Sequence, residues 1–206
     1  MNRNFFYILI ALSILSCKDS SLPKTDLNNT EQIVITNKEF KFEKAEALND
    51  EAVNYGKKGF SEKANKILLE ALEIEPDNAT ILSNLGLVNS HLKNHDNSIL
   101  YYQQALTISD STYLSAGTNL SLEYFNIGEY QKGIEIADFV LKNTRNKYEE
   151  IGARIHKSFS LISKGECEKA KIELKIIKSY VNEIDNLEFQ IKIIENKLKN
   201  CVQQRV

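Results

Sequence analysis

The chain has 206 residues, 26 of them basic and 28 acidic, for a formal net charge of −2. That balance includes no basic block and no aromatic-studded basic face, which excludes a nucleic-acid footprint. Nothing after residue 16 approaches transmembrane length. Met1 to Ser16 has Arg3 near its start and an apolar run from Phe5 to Leu15, closed by the small Ser16. It reads as a secretory signal peptide (residues 1–16), too short to span a bilayer permanently.

Cys17 follows at once. Ile14-Leu15-Ser16-Cys17 resembles the lipobox of bacterial lipoproteins, in which the cysteine is lipidated and becomes the mature N-terminus. Leu15 departs from the pattern, which prefers a small residue there. The other reading is an ordinary cleaved signal with an incidental cysteine. Several acyl chains, palmitate among them, on one cysteine anchor a protein firmly, whereas one chain binds only marginally. Lys18 occupies the place where an aspartate causes inner-membrane retention in such lipoproteins. The resemblance therefore implies an outer-membrane destination, on the periplasmic face or at the surface. Residues 17–40 are expected to form the lipidated cysteine and a flexible tether, polar and broken by Pro23. Ile33-Val34-Ile35 within it either pairs as a short strand or docks on the first helix.

From residue 41 to 206 the pattern is helical throughout. The first pair of helices is expected at Lys44 to Lys57 and Ser61 to Ile74, with Gly59 supplying the turn and Pro76 ending the unit. A second pair follows at Ala79 to Leu92 and Asp96 to Ile108, with Asp96 as N-cap. The third runs Thr112 to Ile127 and Tyr130 to Lys142, and the fourth Tyr148 to Ser163 and Cys167 to Val181. Asp185 then caps a last helix to about Val202, whose stripe of Leu187, Ile191, Ile194 and Leu198 opposes a charged face.

The hairpin recurs. Ala71 to Ala105 is 34 residues, Asn84 to Asn119 is 35 and Gly128 to Gly165 is 37. Small residues fall at one place in each first helix (Ala52, Gly86, Ser121, Ser158) and early in each second helix (Ala64, Ser98, Gly133, Ala170). Small residues let helix backbones approach closely where hairpins stack. This pattern resembles the tetratricopeptide-repeat (TPR) family over residues 41–206. The resemblance implies an all-α fold, an α-α superhelix of about four helical hairpins closed by a C-terminal capping helix. Departures are Lys93 in place of the second turn glycine, a single repeat-ending proline and a degenerate fourth copy.

Chemistry-bearing clusters are sparse. His91 and His95 are four apart, a ligand spacing on one helix face, but His95 falls in the predicted turn and no carboxylate or cysteine accompanies them. They and His156 read as surface histidines, so no metal and no cofactor is expected. Glu and Asp pairs read as solvated outward charge. No nucleophile elbow and no glycine-rich phosphate loop is present, so catalytic residues are none and an enzyme is not expected. Cys167 and Cys201 should arrive at similar height on antiparallel helices. They either form a disulfide tying down the capping helix in an oxidising envelope or remain two free thiols.

In the TPR family the first helices line a concave groove that holds a partner's peptide or helix. The matching positions are Asn49 and Val53; Ser83, Leu87 and His91; Thr118, Leu122 and Phe125; and Ile155, Phe159 and Ile162. The groove is expected to be polar at its N-terminal end and apolar towards the C-terminal end, unless the last helix covers Ile155, Phe159 and Ile162. Val53 and Ser115 stand where a carboxylate clamp would need asparagine and lysine, so that sub-class is excluded. The expected function is a non-catalytic protein-binding scaffold or adaptor held in the bacterial envelope by its lipid. Lipidated relatives imply barrel-assembly, pilus or peptidoglycan-remodelling machines as partners. The alternative is a soluble periplasmic binding or immunity-type protein that sequesters one ligand or toxin.

Overall fold

The structure is a computed structural model describing residues 40–109 and 113–203; the signal peptide, Cys17 and most of the tether lie outside the described residues. Nine helices and no strand occur among the described residues. They are α1 (Glu43–Lys57), α2 (Ser61–Ile74), α3 (Ala79–His91), α4 (His95–Ile108), α5 (Leu114–Asn126), α6 (Tyr130–Asn143), α7 (Lys147–Ser163), α8 (Cys167–Ser179) and α9 (Leu187–Gln203). They stack as four hairpins plus α9. None is long and apolar enough to cross a membrane.

The four hairpin turns are built alike. Gly59, Lys93, Gly128 and Gly165 all sit at positive φ, between 63° and 84°. The amide after each reaches back to close the preceding helix: Phe60 to Tyr55, Asn94 to Asn89, Glu129 to Tyr124 and Glu166 to Leu161, at 2.8–3.0 Å. This is the Schellman arrangement, which satisfies carbonyls that the helix end leaves bare. Lys93 is the one non-glycine among them, at φ 63°. A side chain there costs about 1 kcal/mol or more. We expect Lys93→Gly to raise stability by about 1 kcal/mol, read as a higher midpoint in urea at unchanged slope.

Helix starts are specified by side chains at two joints. Asn78 accepts from the amides of Thr80 and Ile81 at 3.0 Å, and Asn146 from that of Tyr148 at 2.8 Å. Glu75, buried, receives the Asn78 amide at 2.7 Å and the backbone N–H of Phe42 at 2.6 Å, tying the entry of α1 to the first inter-hairpin joint. Asp96 is not a cap: α4 opens one residue earlier, after Asn94, and Asp96 lies in its first turn. Asp185 is not a cap either. α8 ends at Ser179, and the chain turns through Asn186 at φ 60° before α9 opens at Leu187.

The small residues lie at the closest approaches. All eight are buried, paired twelve residues apart within each hairpin. In the second hairpin the Ser98 hydroxyl donates to the Gly86 carbonyl at 2.8 Å. In the third the direction reverses, Ser121 donating to the Gly133 carbonyl at 2.8 Å. A Cβ at Gly86 would stand 2.7 Å from the ring of Tyr102, which is itself fully buried.

First helices touch their counterparts along the stack, α1 to α3, α3 to α5 and α5 to α7. Second helices pack chiefly on their own and the following first helix. That asymmetry curves the stack with the first helices on the inside. α9 packs on α7 and α8 as a fifth first helix would. Its Leu187, Ile191, Ile194 and Leu198 join Ile155, Phe159, Leu174 and Ile177 in one core cluster. The Sγ atoms of Cys167 and Cys201 are bonded, with Cα atoms 6.0 Å apart, so the end of α9 is tied to the start of α8.

Candidate partner groove on the concave face

Of the eleven groove positions read from the sequence, six are half-buried: Val53, Leu87, His91, Leu122, Phe125 and Ile162. Val53, Leu87 and Leu122 hold the same place in successive inner helices, so they form one apolar row across three hairpins. Five positions are closed. Asn49 is buried, accepting from the Asn84 amide at 2.7 Å. Ser83 and Thr118 are buried between inner helices; the Thr118 hydroxyl donates to the Leu114 carbonyl, and its methyl is 2.9 Å from where a Gly152 Cβ would sit.

Ile155 and Phe159 do not line an open groove; they are 0% and 3% exposed. The physical reason is α9. Its Leu and Ile stripe shares their core cluster, and the Lys197 ammonium lies 5.9 Å from the Phe159 ring centroid. Phe125 stacks on that covered ring at 5.7 Å and on Tyr130 at 5.9 Å, so it marks where the open face meets the closed end. The expected gradient towards an apolar C-terminal end therefore stops at the third hairpin.

Along α3 and α5 the open stretch carries little charge. α3 and α5 contain no lysine, arginine or aspartate, and a single glutamate, Glu123. Glu123 is not the outward solvated charge expected of such carboxylates; it is 1% exposed. Its carboxylate receives the Ser90 hydroxyl at 2.6 Å, His95 Nδ1–H at 2.5 Å and, more weakly, the Asn126 amide at 3.4 Å. These groups pin the second hairpin to the third behind the groove. The next joint fills the matching place with the Phe125–Tyr130 ring pair instead. His91, at the groove's edge, is held below its ordinary pKa by burial, with the Glu123 charge opposing the shift in part. Among the described residues no group of three metal-ligating side chains is assembled.

His156 is a core histidine, not a surface one. It is buried on α7 with Nδ1–H donating to the Thr118 carbonyl at 3.0 Å, and burial pushes its pKa down to about 4. The unfolded chain takes up this proton near the ordinary pKa of about 6.5, before the folded one does. Stability is therefore fully present above that value and is lost as the pH falls towards 4. We expect this residue to cost about 2 kcal/mol between pH 7 and pH 5. His156→Asn, whose amide can reach the same carbonyl, should flatten that part of the stability–pH curve.

Residues 79–112, covering α3 and α4, match the family model described as tetratricopeptide repeat. The fold is a TPR-type solenoid. A double mutant of MamA from RS-1 is similar at 12% identity and a TM-score of 0.57, over 81% of this chain and 98% of that one. A tetratricopeptide repeat protein from Parabacteroides merdae reaches a TM-score of 0.60 at 19% identity, over 77% of this chain; the match spans only 62% of that protein. MamA from AMB-1 aligns at 14% identity with a TM-score of 0.54, over 77% of this chain and 85% of that one. At such identities the likeness is one of fold. The matched repeat carries three of the expected groove positions, of which Leu87 and His91 are half-buried and Ser83 is closed.

Proposed function

We propose that the protein is a non-catalytic adaptor of the bacterial envelope, held by a lipid on Cys17 and binding another protein on its concave TPR face. The observation that carries the binding role is the row Val53, Leu87 and Leu122, half-buried apolar side chains on three successive inner helices, of which α3 and α5 bring almost no charge with them. Apolar surface lined up along a groove is what a partner's helix or peptide covers. Envelope location is supported by cysteine usage. Of three cysteines, Cys167 and Cys201 are paired, as suits an oxidising compartment, and Cys17 is left over beside the signal-like segment.

Retention from solubilised envelopes tests this, with wild type against Leu122→Glu. Leu122 is the better target than Phe125, whose ring supports Phe159. We expect a protein partner to be retained by wild type and reduced at least about tenfold by the folded variant. Equal recovery would place the working surface elsewhere. Labelling with an alkyne palmitate should mark wild type and spare Cys17→Ser.

A further inference from the structure

The solenoid already holds one helix against groove positions, and that helix shows what the open positions fit. α9 covers Ile155 and Phe159, the counterparts of Thr118 and Leu122, with an aliphatic stripe that contains no charged residue: Leu187, Ile191, Ile194 and Leu198, between 0% and 8% exposed. Its charged residues lie off the stripe, and the Lys197 ammonium stands over the Phe159 ring, 5.9 Å from its centroid. The open row Val53, Leu87 and Leu122 runs directly into this covered end through the stacked Phe125 and Phe159. Along α3 and α5 the sole formal charge, Glu123, is buried and satisfied by Ser90 and His95. A partner charge laid here would meet no free counter-charge on these two helices and would lose its water, which is costly. The inner helix at the N-terminal rim, α1, is charged: Glu46, Asp50 and Lys57, all exposed, lie seven and three residues before Val53 and four after it.

We infer that the occupant of the open groove is an amphipathic helix built like α9, facing the Val53–Leu87–Leu122 row with an uncharged leucine and isoleucine stripe. The inference rests on the groove reading above and narrows it. It excludes acidic tails, basic peptides and carboxylate-terminated segments as the segment bound on α3 and α5. α9 cannot itself move into the open stretch, because the Cys167–Cys201 bond ties its end to α8; we assign the matching helix to another chain.

The test uses the full chain and a fluorescein-labelled peptide with the sequence of Leu187–Gln203 carrying Cys201→Ser. A control peptide carries Ile191→Asp and Ile194→Asp in addition. Anisotropy should show saturable binding of the first peptide, at least about tenfold weaker binding of the control, and a loss of about tenfold or more with Leu122→Glu or, as a second variant, Leu87→Glu. Both variants are checked for unchanged helical content. Equal binding of the two peptides, or no effect of either groove variant, overturns the inference. If the peptide fails while Leu122-dependent retention of an envelope protein persists, the groove reading stands and the α9-like chemistry falls. If both fail, the concave face is not the working surface. Sedimentation of the full chain alone should give a monomer; a dimer dissociated by Leu122→Glu would make a second copy the occupant and overturn the inference.

Discussion

Cys201→Ser, or reduction of the native protein, is expected to lower stability by roughly 3–4 kcal/mol. The bond closes a loop of 34 residues, and the chain-entropy model assigns about that much to a loop of this length. The loop contains all of α8 and nearly all of α9, so the loss should be local as well as global. α9 keeps its buried stripe, but its C-terminal end is released from the start of α8. Hydrogen exchange should therefore accelerate first in α9, then along the face of α7 that carries Ile155 and Phe159. A thermal midpoint unchanged by reduction would show that the helix packing alone fixes the cap, and that the bond adds nothing to it.

Glu173→Ala is expected to cost about 3 kcal/mol, near the low end for breaking a buried ion pair. Glu173 on α8 is only 7% exposed and serves two cations of α7. Arg154 Nη1 donates to one carboxylate oxygen at 2.6 Å and Lys157 Nζ to the other at 2.7 Å. Each cation has a second acceptor, Glu150 for Arg154 at 3.0 Å and Asp138 of α6 for Lys157 at 2.7 Å. Burial alone would lower the pKa of Lys157, yet its hydrogen bonds to Asp138 and Glu173 raise it above the ordinary value. Removing Glu173 leaves two partly buried cations sharing less negative charge. Partial access to water through their own exposed edges keeps the cost below that of a fully enclosed pair. Glu173→Gln, which preserves shape and two hydrogen-bonding atoms, should fall between wild type and alanine. A loss below about 1 kcal/mol for alanine would place the cluster with ordinary surface pairs.

The hairpin architecture was legible because it rests on backbone rules that leave marks in sequence. Gly59, Gly128 and Gly165 announce left-handed turns, and the eight small residues announce the stacking contacts; the observed helix ends fall within a residue or two of the expected ones. Lys93 broke the glycine rule without breaking the turn, since the Schellman bonds around it hold a lysine at φ 63°. What periodicity cannot show is which side of an inner helix meets its neighbour. Glu123 and Glu173 look like solvated charges until the partners from other helices, Ser90 and His95 for one, Arg154 and Lys157 for the other, are brought to them in space. His156 needed the same information, because its acceptor is the carbonyl of Thr118, 38 residues away. The expected groove positions all fall on inner helices, but Asn49, Ser83, Thr118, Ile155 and Phe159 among them are buried. Whether the last helix covers Ile155 and Phe159 was left open by the sequence, because that closure depends on where α9 folds back.

The central claim is that the concave face, not the charged outer face, meets the partner. Site-specific photo-crosslinking in intact envelopes tests it most directly, with the reactive residue placed in turn at Leu87 and Leu122 on the inner helices and at Leu69 and Leu100 on the outer ones. The account predicts one shared crosslinked protein from positions 87 and 122 and none from 69 or 100. Crosslinks from 69 and 100 with silence at 87 and 122 would contradict it.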